Sequence, residues 1–421
     1  MRALKIMPSG IVTWVIHGRM AIGMRDRQVL LISALLLGAT VSWRHGTYFT
    51  GSVDRVVVLK GVMSVAALML ARTTAHRAGV RRRLGTRSVW ILALFLGASF
   101  FGGWSTGALF ASTVLLVRVA ILAATVFLML RAYPAEHVVR SLVVMMAWFA
   151  GIAAVTGLPG LAGGGRLQGG LPPLNANEIA FLCGATVIAV VWRDLHGQAA
   201  RWDAFLIIVF FGVIWITGSR TGLTALVLAL IVMLVQVRRL PVPAFSALLV
   251  AVPIVVYLFG SGVVSGYLGR GGEGNVTTFS NRTIAWQAAL HLHTGFWDQW
   301  FGNGLSMKKI PVTARWWDTQ GLDSSWISAL VQAGLVGVFI LAAWSLINLL
   351  SASCSARPAR LLWLSLLVFM LVRSVLESGL LDATPAFLLF FAVSVATEAT
   401  SRRAATARSS PRPASPQPVT A

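Results

Sequence analysis

Long apolar runs, broken only by short polar connections, recur from one end of this chain to the other. They fall at residues 29–43, 53–71, 88–104, 107–130, 138–157, 177–193, 203–217, 221–237, 243–260, 323–349, 360–376 and 384–399. A helix needs about 20 predominantly apolar residues to cross a bilayer core. The pattern therefore predicts an all-α fold, a polytopic transmembrane helical bundle of about twelve spans. An even count places both termini on one side of the membrane.

The polar connections give the orientation. Basic clusters in the leader and at residues 72–87, 131–140, 193–201, 238–239, 357–360 and 402–412 all share one face, which the positive-inside bias makes cytoplasmic. The expected organisation is a basic cytoplasmic leader (1–28), nine spans (29–260), a large outer-face loop between the ninth and tenth spans (261–322), three further spans (323–399) and a cytoplasmic tail (400–421). The leader has one short apolar piece and no small-residue cleavage site, so it reads as interfacial. The tail is rich in Ser, Pro, Arg and Ala and is expected to be disordered.

Composition changes this picture little. The 421 residues are 57% hydrophobic and 11% charged, and 35 Lys+Arg against 13 Asp+Glu give a net charge of +22. In a soluble protein that excess would suggest nucleic acid. Here the basic residues sit mostly between apolar runs, where they set topology, so nucleic acid is excluded as a partner. Cys183 and Cys354 fall in a span and in a cytoplasmic connection, too far apart for a disulfide.

Four arginines break the positive-inside bias, because Arg166, Arg220, Arg282 and Arg373 all fall on the outer face. A guanidinium forks onto two phosphate oxygens, and several converging would hold a pyrophosphate without a metal ion. Taken singly, each would instead snorkel to lipid headgroups. Arg220 lies in Thr217-Gly218-Ser219-Arg220-Thr221-Gly222, opening a helix whose free amides and positive dipole end point outward. Ser219 also suits the N-cap of that helix.

Asp323, in Asp323-Ser324-Ser325-Trp326, reads either as an N-cap carboxylate or as a general base for a hydroxyl proton. Glu377 and Asp382 are rival carboxylates on the same side. Trp297, Trp300, Trp316 and Trp317 in the large loop suit an interfacial belt or stacking on sugar rings. Gly269-Arg270-Gly271-Gly272-Glu273-Gly274 fits a dinucleotide fingerprint in letters only, and His291 and His293 lack a third metal ligand. Arg118, midway along an apolar run, either pairs inside the bundle or lines a cavity.

Three segments carry a family resemblance. Thr217-Gly218-Ser219-Arg220-Thr221-Gly222 is one; Asn281-Arg282-Thr283-Ile284-Ala285-Trp286, followed by Phe301-Gly302-Asn303-Gly304-Leu305, is the second; Asp323-Ser324 with Gly334-Leu335-Val336-Gly337 downstream is the third. In order and sidedness they resemble the O-antigen ligase and O-antigen polymerase superfamily of bacterial envelope glycosyltransferases. Gly165-Arg166-Leu167-Gln168-Gly169, with Asn177 at the next helix start, adds a weaker likeness. The chain departs from the ligases at Asp323, where they have histidine.

The resemblance implies a glycosyltransferase of the bacterial cytoplasmic (inner) membrane. It would move a glycan from a polyprenyl-pyrophosphate carrier to an acceptor hydroxyl of a glycan or glycolipid at the outer face, in envelope polysaccharide synthesis. It also implies no nucleotide sugar, cofactor or metal. Arg220 and Arg282 would hold and stabilise the pyrophosphate, and Asp323 would activate the acceptor. Arg166, Asn177, Ser219, Arg373 and Glu377 would bind substrate. The alternative is a transporter or a non-catalytic polyprenyl-glycan binding membrane protein. A transporter should show paired halves with broken helices, and no convincing internal repeat is present.

Overall fold

The computed structural model describes residues 24–44, 49, 54–77, 82, 84–163, 165–237, 282–292, 295–312 and 318–409. The chain is mostly helical. Its elements run α1 (Met24–Thr40), α2 (Arg55–Arg77), α3 (Arg87–Ser105), α4 (Leu109–Ala132), α5 (Ala135–Gly157), α6 (Ala176–Leu195), α7 (Asp203–Thr217) and α8 (Arg220–Val235). After the undescribed stretch come α9 (Arg282–Leu292), α10 (Phe296–Phe301), β1 (Lys309–Pro311), β2 (Thr319–Gly321), α11 (Ser325–Ser353), α12 (Arg357–Leu376) and α13 (Pro385–Ser409).

Six helices among the described residues are long and apolar enough to cross a membrane: α2, α3, α4, α5 with its 3₁₀ extension, α11 and α12. Helices α7, α8 and the first part of α13 are apolar but shorter. The protein is a helical membrane protein. The run at 243–260, most of the loop before Arg282, the Gly269–Gly274 string, His293, Trp316 and Trp317 lie outside the described residues.

Two boundaries differ from expectation. Helix α1 begins at Met24, inside the expected leader, and α13 continues to Ser409, into the tail expected to be disordered. Ala and Arg, which dominate residues 402–408, are strong helix formers, and the first proline after them is Pro411.

Helix α13 sits at the centre, packed against α3, α4, α5, α11 and α12. Its residues Ala386–Glu398 are buried on every side, which fits a sequence with no polar stripe. In lipid, apolar burial alone does not drive helices together, so close packing and a few polar contacts must fix the arrangement. Asn348 of α11 donates to the Ser394 hydroxyl at 2.6 Å. The Glu398 carboxylate accepts from the amides of Arg87 and Ser88 at 3.0 and 3.1 Å, satisfying the open N-terminus of α3.

Helix α11 is broken at Gly334, whose φ of 66° and ψ of −161° lie in a region that only glycine occupies comfortably. The break frees carbonyls for another segment: Asn303 donates its amide to Val331 at 2.8 Å and Gly304 to Gln332 at 3.1 Å. Gly302, at φ 70° and ψ −158°, takes the same unusual conformation where it passes the break. A β-carbon on either glycine would collide with the other strand of backbone. Two segments noted separately in the sequence, Phe301–Leu305 and Gly334–Gly337, are thus one joint.

That joint fastens the end of the large loop to the bundle. The described part of the loop has a small core of its own, Ala285 and Ala289 from α9, Ile310 from β1, Leu322 and Val331. Strands β1 and β2 pair antiparallel, with Ile310 opposite Gln320. Together these hold α9 and Asp323 above one end of α6, α8 and α12.

Candidate functional site

The site begins at the start of α6. Asn175 caps that helix in a capping box with Glu178: the Asn175 side chain accepts from the Glu178 amide at 2.8 Å, and the Glu178 carboxylate accepts from the Asn175 amide at 3.1 Å. The cap aims Asn177 across the bundle. Its Oδ1 accepts from Arg166 Nη2 at 2.9 Å, and its Nδ2 donates to Glu377 Oε1 at 2.6 Å.

Arg166 also donates through Nε to the Thr217 carbonyl at 2.8 Å, which ties the connection before α6 to the turn between α7 and α8. In that turn Gly218 ends α7 at a φ of 63°. Ser219 caps α8, accepting from the Gly222 amide at 3.3 Å, so its capping role is met. Arg220 is the first residue of α8, half-buried, three residues beyond the carbonyl that Arg166 holds.

Glu377, just past α12, is the hub. Its Oε1 accepts from Arg282 Nη2 at 2.6 Å, and its Oε2 lies 3.9 Å from Arg373 Nη2. Arg373 donates to the Asn177 carbonyl at 3.3 Å and lies 4.9 Å over the Phe181 ring. Burial holds the Glu377 carboxyl above its ordinary range, against the opposing pull of Arg373 and Arg282.

Asp323 approaches from the other side, its Oδ2 3.9 Å from Arg282 Nε. The N-cap reading of Asp323 is corrected: Ser324 is the N-cap of α11, accepting from the Ile327 amide at 3.5 Å. Asp323 stands one residue earlier, with 45% of its side chain exposed, whereas the Glu377 side chain is 11% exposed. Partial burial raises the Asp323 carboxyl from its ordinary value and Arg282 opposes the rise. The cluster therefore contains one locked carboxylate and one open to an incoming molecule.

Ser325 carries a role that sequence reading missed. Its amide and hydroxyl both donate to the Glu377 carbonyl, at 3.1 and 2.9 Å, fastening the start of α11 to the end of α12. The only sequence signal was a second serine after Asp323, which any N-cap context would explain. Asp382, the other rival carboxylate, is engaged elsewhere by Lys308 at 2.7 Å. Burial alone would raise its pKa, but Lys308, together with the Ala383 amide and Arg118, outweighs that and holds the carboxyl below the usual range.

The structure thus brings Arg166, Asn177, Arg282, Asp323, Arg373 and Glu377 into one network that reaches the Ser219–Arg220 turn through the Thr217 carbonyl. Arg282 faces both Asp323 and Glu377, Arg373 faces Glu377, and Arg166 joins them through Asn177. Trp297 and Trp300 lie on exposed α10, where Trp297 leans on Phe101 and Phe301 at centroid distances of 5.5 and 5.8 Å. Arg118 pairs inside the bundle, donating to the Ala39 carbonyl. Comparison with protein-family models and with curated proteins finds no match to the chain.

Proposed function

We propose that the protein is an O-antigen ligase-like glycosyltransferase of the bacterial cytoplasmic membrane, acting on a polyprenyl-pyrophosphate-linked glycan at the outer face. The observation that carries the reading is the joining of arginines from three separate segments, Arg166, Arg282 and Arg373, through Asn177 and Glu377, with the partly exposed carboxylate of Asp323 beside Arg282. In this reading the chain has about twelve spans, both termini are cytoplasmic, and the loop of residues 261–322 covers the site between the ninth and tenth spans.

The acceptor hydroxyl attacks the anomeric carbon as its proton passes to Asp323. The bond from that carbon to the pyrophosphate oxygen breaks, and the polyprenyl pyrophosphate leaves with the electron pair. Arg220 and Arg282 stabilise the developing charge, as fixed cations do in a water-poor site. Arg373 and Asn177 hold Glu377, and Glu377 holds Arg282, so these three position the clamp. Ser219 shapes the helix end beneath the donor.

The test is reconstitution of the full chain with a polyprenyl-pyrophosphate-linked glycan and a glycolipid acceptor, reading carrier release. Release that is lost in Arg220→Lys, whose point charge cannot copy the bidentate fork, supports the proposal. Donor binding without release would instead leave a non-catalytic binder.

A further inference from the structure

At the opposite end of the bundle, a cavity of about 710 Å³ opens between α1, α5, α6, α7 and α12. Its volume falls within the roughly 300–1,000 Å³ usual for small-molecule sites. The walls are apolar, with Val143, Trp148, Val190 and Phe210 among them. Thr186 also lines it, but its hydroxyl is spent on the Leu182 carbonyl at 2.8 Å.

Charge is confined to one end, where Glu136, Arg140 and Arg193 border the cavity. Glu136 is exposed. Arg193 is committed to Asp203, through Nε at 3.1 Å and through Nη2, and Asp194 lies in its field as well. Arg140 differs: its Nη2 is buried and has no hydrogen-bond partner. A buried charged donor left unmade is costly, so this geometry favours an anion at Arg140.

Hydrocarbon walls with one unsatisfied guanidinium edge suit an amphiphile whose single polar group is anionic. We propose that this groove binds an anionic glycerophospholipid of the leaflet at this end, with its phosphate on Arg140 and its acyl chain along Val143–Gly151. The polyprenyl donor does not fit the same role, because Arg140 lies about 25 Å along α5 from Gly157, on the far side from the arginine network. Basic pockets between spanning helices commonly select anionic headgroups. Gly151 offers an independent handle, since a β-carbon there would meet nothing within 4 Å.

The test is native mass spectrometry of the purified full chain titrated with phosphatidylglycerol, phosphatidylcholine and free glycerol 3-phosphate. Wild type should retain phosphatidylglycerol about tenfold better than phosphatidylcholine and should not retain glycerol phosphate. Arg140→Gln should level the two lipids. Gly151→Phe, which fills the groove and leaves the arginine in place, should weaken both. Equal retention of the two lipids by wild type would overturn the proposal, as would a preference unchanged in both variants. Glycerol phosphate bound as tightly as the lipid would also overturn it, reassigning Arg140 to a free phosphate.

Discussion

Arg282 stands between two carboxylates of different character, and the difference gives each a separate test. Glu377 is nearly enclosed and is gripped by Arg282 and Asn177, both at 2.6 Å. Glu377→Gln should leave Arg282 and Arg373 short of counter-charge, costing on the order of the 3–5 kcal/mol typical of breaking a buried pair, read as a fall in Tm together with lost donor binding. Asp323 is open and caps nothing, because Ser324 holds the helix end. Asp323→Asn should therefore leave Tm nearly unchanged while lowering turnover by roughly 10²–10⁴-fold, the usual loss of a general base. Near-normal carrier release by Asp323→Asn would remove it from the mechanism. Arg282 and Asp323 stand out in the sequence as charges flanking apolar runs, and the structure brings them together. Glu377's place as hub does not stand out, since its contact with Asn177 joins residues 200 positions apart.

The joint between α10 and α11 makes the element scale testable. Gly334→Ala would place a side chain in a conformation that costs about 1–3 kcal/mol on its own, and would also push on the Trp300–Phe301 backbone. The expected result is a lower Tm and faster proteolysis within α10. Gly61→Ala is the control, because a β-carbon there meets nothing within 4 Å and alanine is the better helix former by up to about 1 kcal/mol. Helices could be read from hydropathy because each is a local property of its own run. The break at Gly334 could not, since its cause is a loop segment about thirty residues earlier that takes the Val331 and Gln332 carbonyls.

The same loop is pinned a second time by Lys308 and Asp382, and this pin should respond to pH. The folded pKa of Asp382 lies below its unfolded value, so the folded state binds fewer protons there. Its contribution to stability is thus complete above the ordinary aspartate range near pH 4 and is lost as pH falls through the lowered folded value. Wild type should lose Tm on that acid limb, and Asp382→Asn should flatten it while starting from a lower Tm at neutral pH. An acid limb unchanged in Asp382→Asn would show that the pair does not secure the loop.

At the scale of the whole molecule, α11 decides which groups lie on opposite sides. Beyond the break at Gly334, its residues 335–353 rise about 28 Å at 1.5 Å per residue, close to the roughly 30 Å of a hydrocarbon core. Its start adjoins Glu377 and the arginine network, and its end leads to Cys354, on the side where Arg140 and Arg193 lie. The proposed orientation puts the Cys354 side in the cytoplasm. Cys354 is exposed and Cys183 is buried, so the native chain carries its own reporter. A membrane-impermeant maleimide should leave Cys354 unlabelled in intact cells and label it in inverted vesicles. Trp300→Cys, in a Cys354→Ala background, should behave in the reverse way, because α10 is exposed at the other end. The opposite pattern would put Arg166, Arg220, Arg282 and Arg373 in the cytoplasm, where ordinary topology accounts for them. The proposed outer-face pyrophosphate clamp would then have no basis.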